Sequence, residues 1–381
     1  MIYLDNNATT QVAPQVFAAM RPFLEASYGN PSSAYGFADE VKAAIESARE
    51  SVAALLGAAS PTEIAFTSGG TESDNWAILG ALEATPEKRH FVTTRVEHEA
   101  VRKLCEKLEI QGYAVTWLDV DETGSLDLDH IRNAIRDDTA IVSVMMANNE
   151  TGVLFPVAGI AEIVKEKGDA VFHVDGVNAV GKVPVNLRNT KIDLFSISAH
   201  KFHGPKGVGA LYVRDGLRLP SIQIGGGQEN SRRAGTEAVH QIAGIGAAAK
   251  YVSDLSPATR IRELRDKLEK GILETIPNTT VNGTREADLR LPNTSHISFE
   301  NTNGEMILSR LDDEGICVST GSACHAADHT ASPVLQAMNI PYTRAMGSIR
   351  FSLGRLNSEG EVTDVLSKLP TMIEDIRLIS K

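Results

Sequence analysis

The feature that most limits what this chain can fold into is a regular alternation running through roughly its first two-thirds. Short β-rich runs are followed by helical patterns: "EIAFT" by "ESDNWAILGALEA", "HFVTT" by "EAVRKLCEKLEIQG", and "AIVSVMMA" by "VAGIAEIVKEKG". Two further strand-like runs, "AVFHVD" and "DLFSIS", come next. Parallel strands need a crossover between them, and a helix is the usual one. The order therefore predicts βαβ units and an α/β fold with a mainly parallel sheet, helices on both faces. Ligands of such sheets collect at the carboxyl ends of the strands.

From about Pro257 the pattern changes. A long amphipathic stretch, "ATRIRELRDKLEKGILETI", leads into "TSHISFE", "SIRFSLGR" and a last helix from Ser358 onward. We expect a large domain over residues 15–256 and a smaller α+β domain formed by 257–381 together with the N-terminal segment 1–14. A chain of 381 residues has the length for such a division.

Composition enters as a set of exclusions. A net charge of −12 without any Lys/Arg cluster argues against direct nucleic-acid binding, because a phosphate backbone repels an acidic surface. No apolar run approaches membrane-spanning length, and "MIYLDNNATT" lacks the order of a signal peptide, so a cytoplasmic protein without a membrane partner is expected. Cys105, Cys317 and Cys324 have no CxxC spacing, which fits neither a disulfide framework nor a zinc knuckle, and we expect no metal.

Two successive strand endings, "FHVDGVNAVGK" and "DLFSISAHK", bring Asp175 and Lys201 to one edge of the sheet. Alone, the pair reads as a salt bridge. A third element changes that reading. "FTSGGTESDNW" runs from a strand through Gly69 and Gly70 into a helix beginning near Thr71, and free N–H groups at a helix start make an anion site. An anion cup, a carboxylate and an amine are together what pyridoxal 5'-phosphate (PLP) requires. The cup takes its phosphate, Asp175 keeps the ring nitrogen protonated, and Lys201 condenses with its aldehyde. His98 in "RVEHEAV" and Asn149 in "MMANNETG" follow other strands, while Ser198 and His200 flank the lysine. In isolation each has an ordinary reading: a surface histidine, a turn asparagine.

"GICVSTGSACHAADHTASPVL" holds two cysteines in different settings. Cys317 alternates with apolar neighbours and reads as a small core residue. Cys324 lies among Ser, Gly, Ala and His without apolar periodicity, a setting for an exposed thiol nucleophile that His325 or His329 would help deprotonate. "SIRFSLGR" offers Arg350 and Arg355, either of which can bind an amino-acid carboxylate.

Taken together, "YLDNNATT", "GNPSS", "TSGGTESDN", "EHEAV", "ANNETG", "HVDGVNAVGK", "SAHKFHGPKGVGALYV", "GGGQENSRRAGT", "STGSACHA" and "RFSLGR" occur in an order that resembles cysteine desulfurases of the NifS/IscS type. These are class V aminotransferase-like, fold-type I PLP enzymes. The resemblance is nearly full length. It implies a large domain with a mainly parallel seven-stranded sheet, a homodimer, and conversion of L-cysteine to L-alanine with sulfur passed to an acceptor such as an iron–sulfur scaffold protein. It further implies that Lys201 carries PLP, Asp175 pairs with the ring nitrogen, and His98 stacks on the ring. Gly70, Thr71, Ser198 and His200 bind the phosphate, and Thr236 reaches the phosphate of the partner subunit. Asn149 and Arg355 hold substrate, and Cys324 forms the persulfide. Where the family usually has Gln bonded to a cofactor oxygen, this chain has Asn178, one methylene shorter. The His after Cys324 and the "DH" before "SPVL" also resemble selenocysteine lyases. The rival expectations are a selenocysteine lyase, a PLP aminotransferase or other lyase with Cys324 as bystander, and a non-catalytic sulfur-carrier scaffold.

Overall fold

The computed structural model describes residues 1–320 and 331–379. After a two-residue strand, β1 (Ile2–Tyr3), seven strands build one large sheet: β2 (Ile64–Thr67), β3 (His90–Thr94), β4 (Ala114–Leu118), β5 (Thr139–Ser143), β6 (Val171–Asp175), β7 (Leu194–Ser198) and β8 (Gly209–Val213). Their spatial order is β2-β8-β7-β6-β5-β3-β4. β8 alone runs against its neighbours, β7 and β2, and the other contacts are parallel. β5, β6 and β7 are buried along their whole length, as strands covered on both faces must be.

The side facing helix Gly70–Ala84 changes character along the strands. Toward the strand starts it is apolar, with Phe91, Ile141, Val171 and Leu194 packed against Trp76, Ala77 and Ala81. Two residues further on, the same face carries Thr93, Ser143, His173 and Ser196, and then Asp175 and Ser198. His173 is hydrogen-bonded on both sides, to Ser143 Oγ at 2.8 Å and to Ser196 Oγ at 2.9 Å. Buried polar side chains are costly unless paired, so this row has to be satisfied across strands. The sheet is thus oily at one end and polar at the other.

The rest of the chain adds β9 (Thr279–Val281), β10 (Thr294–Phe299), β11 (Ile316–Cys317), β12 (Ser319–Thr320) and β13 (Ser348–Ser352). Four of these form an antiparallel sheet in the order β12-β13-β10-β9, and β11 pairs in parallel with β1. Helices Pro257–Thr275, Gly304–Asp313 and Glu359–Ile379 close a second core around Leu268, Phe299, Phe351 and Leu369. Leu4 from the N-terminal segment is fully buried in it. Ala331, Val334, Leu335, Met338, Ile340 and Ala345 pack instead into the larger core. Among the described residues, no helix is long and apolar enough to cross a membrane.

Candidate active site

β6 and β7 end side by side, with Asp175 paired to Ser196. Beyond β7 the chain makes a short 3-10 turn, Ala199–Lys201, which turns the lysine back over the strand ends. There it meets the turn that opens helix Gly70–Ala84. Gly69 has φ +154°, a conformation that a side chain would strain. Its backbone also rests against Gly209, where an added Cβ would come within 2.8 Å of Gly69 carbons. Two glycines on different elements therefore fix where this helix begins.

These elements enclose a cavity of about 290 Å³ lined by Gly70, Thr71, His98, Asn149, Asp175, Asn178, Ser198, His200 and Lys201. Nine residues singled out from the sequence are brought together here. The cavity also contains Asp74, Met145 and Val177, among others.

Lys201 Nζ donates to the backbone carbonyls of Asn7 at 2.5 Å and Ala8 at 3.0 Å. Burial lowers its pKa to about 8, assisted by Arg350 and opposed by Asp175 and Asp5. Asp175 accepts from the Val177 N–H at 2.9 Å, and burial raises its pKa against the pull of His98 and Lys201. Among the described residues no cation lies within ion-pair distance of this carboxylate. Burial also holds His200 neutral, at about 4, helped by Lys201. At the anion cup, the first N–H groups of a 15-residue helix have no partner within the helix itself. Next to them Glu72 accepts from Ser68 N at 2.7 Å and pairs with Arg233 at 2.8 Å, which fixes the turn without filling it.

His98 caps helix Glu99–Ile110, its Nδ1 accepting from Ala100 N at 3.1 Å, so the ring is held in one orientation. A second cavity, about 460 Å³, adjoins the first through His98, Asn149 and Lys201 and contains Arg350, Glu97, Glu150 and Ser332.

These placements fit PLP. A buried carboxylate without a cation suits a protonated ring nitrogen, a helix N-terminus suits a phosphate, and an amine close to its free base suits an aldehyde.

The two arginines separate. Arg350 donates to Asp5 Oδ1 at 2.7 Å, to Ser319 Oγ at 3.0 Å and to the Asn149 carbonyl at 2.9 Å, and it faces the cleft. Arg355 points elsewhere. It lies 5.0 Å over the Tyr251 ring and donates to the carbonyls of Tyr251, Val252 and Asp254, outside both cavities just described. Five residues separate them on a chain that leaves its strand at Ser352, so alternation no longer holds them to one side. Arg350 thus shares a cleft with Asn149 and Lys201, and Arg355 borders a separate small cavity that Lys182 and Lys201 also reach.

Thr236 is exposed and lines neither cavity. Cys324, His325 and His329 lie outside the described residues. Cys105 is buried, its thiol pushed up by burial, and Cys317 is partly buried on β11.

Two acidic residues were missed. Asp74 is 1% exposed, its Oδ1 unbonded and 3.5 Å from His173 Nε2, and burial beside Asp175 raises its pKa. Spacing held the signal, since Asp74 follows Thr71 by three residues and shares its helix face. Glu97, pushed up to about 8 by burial, accepts from Thr94 Oγ1 at 2.7 Å and Met145 N at 3.1 Å.

The family model described as "Aminotransferase class-V" matches residues 2–365. A protein of Trichormus variabilis named "Cysteine desulfurase 2" is 51% identical over 381 residues, covering 100% of this chain and 95% of its own. A solved structure titled "NIFS-LIKE PROTEIN" superposes with a TM-score of 0.92 at 39% identity, covering 98% of this chain and 99% of that one. Another, "SspA in complex with cysteine", gives 0.83 at 34% identity, covering 94% and 100%.

Proposed function

From its place in the aminotransferase class-V family, to which this chain belongs, we infer a PLP-dependent cysteine desulfurase of the NifS/IscS type that converts L-cysteine to L-alanine and moves the sulfur onward. Its fold is that of the fold-type I PLP enzymes. The relatives' names favour this activity over a selenocysteine lyase or a silent scaffold. One observation carries the residue-level reading: an amine, a cation-free carboxylate and an open helix N-terminus share one cavity.

When bound, PLP supplies an aldehyde for amine exchange and a protonated ring that accepts an electron pair. Lys201 holds it and afterwards moves the substrate's α-proton. Its low pKa leaves a sizeable free-base fraction near neutral pH. Asp175 would keep a proton on the ring nitrogen, and the Gly70–Thr71 helix start with Ser198 and His200 would hold the phosphate. His98 would cover one face of the ring. Arg350 takes the substrate carboxylate and Asn149 orients it.

Cys324 then removes sulfur as a thiolate. An S–S bond forms, the substrate's C–S bond breaks with its electron pair left on carbon, and a proton on that carbon together with return of the α-proton by Lys201 completes L-alanine. The products are alanine and a Cys324 persulfide, whose terminal sulfur passes to an acceptor protein such as an iron–sulfur scaffold. We assign a cytoplasmic homodimer, with Thr236 reaching the partner subunit's phosphate.

The test is a visible spectrum of the purified protein before and after L-cysteine, with alanine and sulfide assayed in the same tube. Lys201→Ala is expected to lose both the cofactor band and turnover. Cys324→Ser keeps the band and loses sulfur release. Sulfide release by Cys324→Ser at the wild-type rate would remove Cys324 from the mechanism.

A further inference from the structure

A second lysine lies behind the cavity. Lys182 Nζ donates to Asn178 Oδ1 at 2.7 Å, to the Asn178 carbonyl at 2.9 Å and to Asn7 Oδ1 at 3.2 Å. All three acceptors are neutral, and among the described residues no carboxylate lies within ion-pair distance of it. The charged and titratable groups around it are Lys201, Arg350, His200 and His203. Burial beside Lys201 and Arg350 holds the Lys182 amine well below the usual lysine pKa, so hydrogen bonds and not an ion pair fix its position. Gly181, at φ +77°, turns the chain so that Lys182 folds back over the residue four before it.

Lys182 donates to Asn178 Oδ1 and the Asn148 carbonyl can only accept, so the oxygen of the Asn178 amide faces the lysine and its nitrogen points the other way. Asn178 is 4% exposed and lines the catalytic cavity, which Lys182 does not. One Nδ2 hydrogen goes to the Asn148 carbonyl at 3.3 Å, leaving the second to the cavity. We propose that Lys182 is a positioning residue for the cofactor: by binding Asn178 Oδ1 it fixes the amide so that Nδ2 is a donor to a ring oxygen of PLP. This rests on the PLP reading above and deepens it.

The experiment compares wild type, Lys182→Met, Lys182→Gln, Asn178→Ala and the Lys182→Met/Asn178→Ala double variant. Each is stripped of PLP and retitrated, and both the PLP dissociation constant and the visible band of the reloaded protein are recorded. Lys182→Met and Asn178→Ala should each weaken PLP binding about tenfold, near the upper end for one hydrogen bond, and displace the band alike. The double variant should lose no more than about twofold beyond either single change, because the lysine acts through the asparagine. Lys182→Gln keeps a neutral donor and should recover most of the affinity and the wild-type band. Additive losses in the double variant, or a Lys182→Met protein with wild-type band and affinity, overturn the assignment. Should Lys182→Met not fold, Lys182→Ala takes its place with the same two readings: the displaced band of Asn178→Ala supports the role, and the wild-type band overturns it. Wild-type protein that takes up no PLP overturns the underlying reading instead.

Discussion

Arg350 is the residue whose surroundings separate two readings that "SIRFSLGR" left open. It is nearly buried in a cleft shared with Lys201, held by Asp5 and Ser319, while Arg355 is spent on backbone carbonyls. Hydrogen bonds to charged groups contribute about 1.5–3 kcal/mol each, so Arg350→Ala is expected to raise KM for L-cysteine roughly 10- to 100-fold. Arg355→Ala should leave KM near the wild-type value and lower the melting temperature, and steady-state kinetics on both variants checks the split. The strand-end residues were legible because position relative to a strand is written in the chain: Asp175 and Lys201 follow recognisable apolar runs. Asp74 and Glu97 were not, since their interest comes from burial beside another carboxylate, and burial of a polar residue is decided by elements far away in sequence.

Among the elements, the segment around "GGGQENSRRAGT" depends most on one contact. Glu229, Asn230 and Ser231 all have positive φ, a strained run that persists only if its surroundings impose it. Glu229 supplies that constraint. Its carboxylate receives Arg49 at 2.6 and 3.0 Å and the Phe66 N–H at 2.9 Å, tying the segment to helix Asp39–Leu56 and to β2. Removing one partner of a buried pair leaves the other uncompensated, so Glu229→Ala is expected to cost about 3–5 kcal/mol, read from denaturant unfolding. The α/β alternation was legible at this scale because strand and helix periods differ. The reversed direction of β8 was not, as a strand of five buried residues reads the same either way.

For the whole molecule, Asn7 joins the two cores. It is fully buried, its N–H bonds Ser352 Oγ at 2.9 Å, its amide donates to Thr294 Oγ1 and the Asn149 carbonyl, and its oxygen receives Asn293 and Lys182. Asn7→Ala strands several of these groups. An expected loss of about 2–3 kcal/mol in denaturant stability follows from the usual desolvation penalty. The same residue's carbonyl receives Lys201, and a few positions earlier β1 lies against β11 while Leu4 is enclosed by residues as late as Ile376. A nascent chain therefore makes its lysine and its acid long before it can seat the segment that steadies them. Thr10 can bond His200 as soon as the large sheet has formed, but Leu4 and β1 stay unclasped until the last helix has joined their core, so the anchor of the amine sets last.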